Sequence, residues 1–87
     1  MKIKDGFMLS DVAGTPVVVP LGQHTSFHNM IKLNETGRFL WELLQTETTR
    51  DALAKAMIDT YEITSEIAYK DLDAFLASLS AFGALEE

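Results

Sequence analysis

Met30-Ile31-Lys32-Leu33-Asn34-Glu35-Thr36-Gly37-Arg38-Phe39-Leu40-Trp41-Glu42-Leu43-Leu44 is the stretch on which the fold turns. It reads as the end of a strand running straight into a helix. The strand is expected over Phe27 to Leu33, with Phe27, Asn29, Ile31 and Leu33 on one face and His28, Met30 and Lys32 on the other. The first face is the more apolar and is expected to look into the core, Asn29 being its one polar interruption. Asn34 suits an N-cap, because its side-chain oxygen can accept a bond from an early helical N–H. Glu35 adds a favourable charge at the helix N-terminus. Beyond it Thr36, Phe39, Leu40, Leu43 and Leu44 recur at helical spacing, with Trp41 on a flank and read as core rather than interface. Gly37 is a poor helix former in the first turn, which implies that something packs close to it.

Before this seam every segment reads as strand. Phe7 to Val12 is a first strand, Ala13-Gly14-Thr15 a turn with Gly14 at positive φ, and Pro16-Val17-Val18-Val19-Pro20 a second strand. The prolines sit at its ends, where a missing N–H does least harm. Together they predict a β-hairpin, followed by a polar loop from Leu21 to Ser26. After the seam every segment reads as helix. Thr48-Thr49-Arg50-Asp51 resembles a capping box, a threonine followed three residues later by a carboxylate, and opens a second helix running to about Tyr61. A third helix runs from about Ser65, capped by Thr64 or Ser65, to Phe82, with Ala68, Leu72, Phe75, Leu76, Leu79 and Phe82 on one face and Gly83 as C-cap. Ala84-Leu85 is expected to fold back. The fold class is therefore α+β: three antiparallel strands, then three helices. The short loops around the middle helix allow a winged helix-turn-helix-like arrangement with the hairpin as wing.

Composition narrows the function. Eighty-seven residues with 47% hydrophobic content make one domain spanning 1–87. The absence of cysteine excludes a disulfide framework, a thiolate zinc site, an iron–sulfur cluster and a cysteine nucleophile. Neither a signal-peptide pattern nor a membrane-length apolar run is present, so a cytoplasmic protein away from membranes is expected. His24 and His28 are four apart, a spacing that holds zinc on a helix, but here they flank a loop-to-strand junction with no third ligand near in sequence. No Gly-x-Ser-x-Gly, phosphate-binding glycine loop or Ser/His/Asp set occurs, so neither catalysis nor a cofactor is expected. A nucleic-acid-binding winged helix is the alternative reading. It is disfavoured by a net charge of −6 and by scattered cations: the third helix carries Glu66, Lys70, Asp71 and Asp73.

The pattern Leu33-Asn34-Glu35-Thr36-Gly37-x-x-x-Trp41-Glu42-Leu43-Leu44, together with Gly6-Phe7, Val17-Val18-Val19-Pro20, Thr49, Leu53, Tyr61, Asp71-Leu72-x-x-Phe75-Leu76-x-x-Leu79 and Gly83-Ala84-Leu85, resembles the PqqD family across nearly the whole chain. That family is named from a protein of pyrroloquinoline quinone biosynthesis. The resemblance implies a peptide chaperone, a recognition element for the leader of a ribosomally made and later modified (RiPP) precursor peptide. It would present that peptide to a modifying enzyme, often a radical S-adenosylmethionine (radical SAM) protein. It also implies that the leader adds as a strand beside the third strand, in a groove against the third helix.

The residues set terms for such binding. Each backbone hydrogen bond contributes a net ~1 kcal/mol, while ordering the peptide costs ~1–2 kcal/mol per residue. Apolar anchors worth ~1.5–3 kcal/mol each must supply the surplus, and two or three of them would bring affinity near micromolar, ~8 kcal/mol. On the strand the candidates are His28, Met30, Ile31, Lys32 and Leu33. On the third helix one flank carries Ile67, Asp71, Ala74 and Ser78, bounded by Phe82; small Ala74 and Ser78 allow close backbone approach, and Asp71 can accept from a basic side chain or an N–H. The other flank carries Tyr69, Asp73, Leu76 and Ser80, and the first is preferred. A free strand edge also permits self-association.

Overall fold

The computed structural model describes residues 1–20 and 31–86. The expected loop from Leu21 to Ser26 and the expected strand residues Phe27 to Met30, including His24, His28 and Met30, lie outside the described residues.

Among the described residues eight elements follow in order: β1 (Lys2–Ile3), β2 (Phe7–Val12), β3 (Thr15–Pro20), β4 (Ile31–Lys32), α1 (Glu35–Leu43), α2 (Arg50–Tyr61), α3 (Ser65–Phe82) and β5 (Leu85–Glu86). Three antiparallel strands, in the order β2-β3-β4, precede three helices, as the hydrophobic patterning predicts. The hairpin between β2 and β3 closes through a two-residue turn in which both Ala13 (φ 52°) and Gly14 (φ 83°) are left-handed. Positive φ at both positions is what a tight type I′ hairpin needs, so the turn bends an alanine as well as the glycine.

A second, two-stranded sheet was not foreseen. β1 pairs with β5 in antiparallel register, Lys2 with Glu86 and Ile3 with Leu85. Ile3 N–H also donates to the Leu44 carbonyl at 2.9 Å, and Lys4 N–H to the Ala84 carbonyl at 2.8 Å. The fold-back of Ala84-Leu85 expected from Gly83 is thus the closing of the chain's two ends against each other. Gly83 makes it possible by adopting a left-handed φ of 83°, with its N–H donating to Ser80 and that of Ala84 to Leu79.

All three helices carry the side-chain cap their sequence offers. Asn34 accepts from Gly37, Thr49 from Ala52 and Thr64 from Ile67. The second differs from expectation. Thr49, not Thr48, is the N-cap, so Asp51 falls at the second helical position and cannot complete a capping box. It accepts a hydrogen bond from the Tyr69 hydroxyl instead.

The core sits between the sheet and the helices. Leu40, Leu44, Leu53, Met57, Leu72, Leu79 and Val18 are its largest fully buried side chains. Trp41 is also buried, in keeping with its reading as core, whereas Phe39 and Leu43 from the expected stripe are only half-buried. Among the described residues no helix is long and apolar enough to cross a membrane.

Candidate functional site

Among the described residues β4 is an edge strand. Its inner edge bonds to β3, with Val17 opposite Lys32 and Val18 opposite Ile31, and Leu33 N–H donating to the Pro16 carbonyl at 2.8 Å. Antiparallel ladders alternate hydrogen-bonded with non-hydrogen-bonded pairs. Because Leu33 bonds toward β3, Ile31 does so too, and Lys32 between them turns its N–H and C=O the other way. Pro16 and Pro20 fit the same alternation: Pro16 stands opposite Leu33 and contributes only an acceptor there. The prolines therefore spend their missing donors on the β4 side of β3, while the hairpin ladder stays complete.

The outward edge of β4 looks across a groove of about 640 Å³ at one flank of α3. Its walls are Ile31, Lys32 and Leu33 from the strand, and Asp71, Ala74, Phe75 and Ser78 from the helix, with Asn34, Thr36, Gly37 and Leu40 closing one end. A shallower continuation runs past Ile31, Lys32 and Ser78 to Ala81 and Phe82. Along α3 the span from Asp71 to Phe82 is roughly 16 Å at 1.5 Å per residue, the length of about five extended residues. The groove exists because the helix wall is built from small side chains at Ala74 and Ser78, which leave the space before β4 unfilled.

Gly37 shapes the closed end. It is buried, and a Cβ placed on it would stand 3.2 Å from Cε1 of Phe75, 3.2 Å from Oδ1 of Asn34 and 3.4 Å from Cβ of Leu33. The close packing implied by a glycine in the first helical turn is therefore the seating of Phe75. The cap of α1, the wall of α3 and the end of β4 all meet at this point.

Of the candidate residues, the structure gathers Ile31, Lys32, Leu33, Asp71, Ala74, Ser78 and Phe82 around one groove. Ile67 does not line it; it lies one turn before Asp71 on the same flank, 47% exposed. His28 and Met30 fall outside the described residues. Asn34, Thr36, Gly37, Leu40, Phe75 and Ala81 line the groove although the sequence does not single them out for it. Gly37 carried the available signal, a residue that costs helix stability unless space demands it.

The opposite flank of α3 is shut. Arg50 of α2 donates from Nε and Nη2 to the two carboxylate oxygens of Asp73, both at 2.8 Å. Its guanidinium also lies 4.3 Å from the ring centre of Tyr69, whose hydroxyl donates to Asp51 at 2.6 Å. The hydrogen bond from Arg50 holds the Asp73 carboxyl below its ordinary range, and the same bond raises Arg50. Tyr69 is raised by its bond to Asp51. Among the described residues no three His, Cys, Asp or Glu side chains are grouped to hold a metal ion.

A family model for coenzyme PQQ synthesis protein D (PqqD) matches residues 16–85. The chain belongs to the PqqD family. The matched span takes in β3, β4, all three helices and the start of β5, and so includes every described wall of the groove. Two solved structures share this PqqD fold. TbiB1 in complex with the TbiA(beta) leader peptide is 24% identical with a TM-score of 0.78, covering 99% of this chain and 95% of that one. Lasso peptide synthetase B1 complexed with the leader peptide is 17% identical with a TM-score of 0.76, covering 99% and 96%. No curated protein matches the chain significantly.

Proposed function

We propose that this PqqD-family domain is a non-catalytic chaperone that binds the leader of a ribosomally made precursor peptide and presents it to a modifying enzyme of the radical SAM class. The observation that carries this is the outward N–H and C=O of Lys32 on an edge strand, facing a groove whose far wall is α3. A peptide added there continues the sheet and presents alternate side chains to the groove. Ile31, Lys32 and Leu33 are the strand contacts, with His28 and Met30 proposed to extend them. Asp71, Ala74, Ser78 and Phe82 are the helix contacts, with Ile67 proposed to meet the peptide where it leaves the groove. That both fold relatives are complexes with leader peptides supports the reading.

Titrating isotopically labelled protein with a leader encoded beside its gene is expected to shift the amides of Ile31 to Leu33 and of Asp71 to Phe82, with submicromolar to micromolar affinity. Shifts confined to α2 would sink this placement. A pull-down of the modifying enzyme with and without the precursor separates peptide presentation from simple docking.

A further inference from the structure

Resting on strand addition at β4, we infer that the groove selects a peptide segment with an acidic residue between two apolar ones, the acid opposite Lys32. The register sets this order. A residue paired with Lys32 on its outward edge shares Lys32's face of the sheet, which is the exposed face, since Leu33 on the other is buried and Ile31 packs against the core. The residues on either side of it share the face of Ile31 and Leu33 and point into the groove. The one beside Leu33 enters the end formed by Gly37, Leu40 and Phe75; the one beside Ile31 enters the end formed by Ser78, Ala81 and Phe82. The triplet reads the same in both directions, so it holds for either strand polarity.

Charge picks out the central residue. Lys32 is the one cation and Asp71 the one anion among the described lining residues. Lys32 has no carboxylate partner among the described residues, and positions 21–30 contain no acidic side chain. On a chain of net charge −6, a peptide carboxylate is repelled across most of the surface and welcomed beside Lys32, whereas one displaced along the groove meets Asp71. A single acid therefore helps to fix the register as well as the affinity.

The test uses a displayed library of random twelve-residue peptides, selected against the full chain and against Lys32→Glu. Wild-type protein is expected to enrich apolar–acidic–apolar triplets, and K32E to enrich apolar–basic–apolar ones. A selected peptide whose central acid is changed to the amide should bind wild type roughly 1.5- to 5-fold more weakly, as a cross-strand charge pair implies, and should lose no affinity for K32E. Selected peptides that shift the amides of Ile31 to Leu33 yet show no central charge preference on either protein would overturn the triplet rule and leave strand addition standing. Selected peptides that leave those amides unmoved would overturn both.

Discussion

The two flanks of α3 have opposite fates. Toward α2 the helix presents Tyr69 and Asp73, long or charged side chains that reach across and are held by Asp51 and Arg50. Toward β4 it presents Ala74 and Ser78, small side chains that line a groove. Between them Ala68, Leu72, Leu76 and Leu79 are buried and common to both. One helix thus anchors the domain with its central stripe, closes one side with a polar clamp and keeps the other side open through small residues. The groove comes from what the helix omits.

The most damaging way to break this arrangement is to remove the shared stripe. Leu79 is fully buried, and Leu79→Ala is expected to cost about 2–5 kcal/mol by leaving a cavity. For a domain whose whole stability is of order 5–15 kcal/mol, chemical denaturation should show a large fall in midpoint, and both flanks should loosen together. A midpoint within error of wild type would mean that α3 is not the common support.

The next change should separate the flanks. Lys32→Pro removes an N–H that faces the groove and puts a ring in its place, while the bonds of Ile31 and Leu33 to β3 remain. Stability should change little, and affinity for a library-selected peptide should fall by about tenfold or more, the loss of one hydrogen bond plus a blocked approach. Ile31→Pro should do the reverse first, since Ile31 bonds inward and its loss weakens the β3–β4 ladder. If the two prolines behave alike in both calorimetry and denaturation, the assignment of inward and outward residues on β4 is wrong.

A smaller effect is expected from Gly37→Ala. The helix gains roughly 0.5–1 kcal/mol of propensity, but the new methyl stands 3.2 Å from Phe75 and from the capping oxygen of Asn34. Phe75 is half-buried and borders open space, so it can yield toward the groove. The expected result is a melting temperature within a few degrees of wild type with peptide affinity reduced several-fold. Equal affinity would show that Phe75 does not set the shape of that end.

Much of this is legible in the sequence, and the gaps have physical causes. The helices declare themselves through caps and apolar periodicity, so their ends at Asn34, Thr64 and Gly83 were readable to the residue or nearly so. The hairpin follows from β-branched runs on either side of Gly14. The pair β1–β5 was not legible, because two-residue strands carry no period and their partners lie at opposite ends of the chain. Thr48 and Thr49 are adjacent residues of the same type, so a local rule could not choose between them, and the partner of Asp51 proved to be Tyr69 on another helix. For the groove, small residues on one flank of α3 point to the side that faces β4, but the contribution of Phe75 requires knowing that it packs on Gly37. Ile67 fell on the same helical flank and still missed the groove lining, since the wheel gives direction and not where the facing strand ends.

The clamp on the closed flank makes the gentlest prediction. Arg50 and Asp73 are both about half exposed, so water and salt screen the pair, and such bridges contribute little individually. Its contribution also has a defined pH range. Asp73 is held below its ordinary value of 3.8 by the bond from Arg50, so the folded state binds a proton there less readily than the unfolded chain. The stabilisation is therefore complete above about pH 4 to 5, and is lost as acid carries the solution down through the folded value. Asp73→Asn should lower the denaturation midpoint slightly at neutral pH, less than any change above. The gap from wild type should narrow below pH 4 and shrink in concentrated salt. Peptide affinity should stay unchanged throughout, because Tyr69 and Asp73 are not among the described residues that line the groove. A D73N variant that weakened peptide binding while keeping its melting temperature would show that the two sides of α3 are coupled.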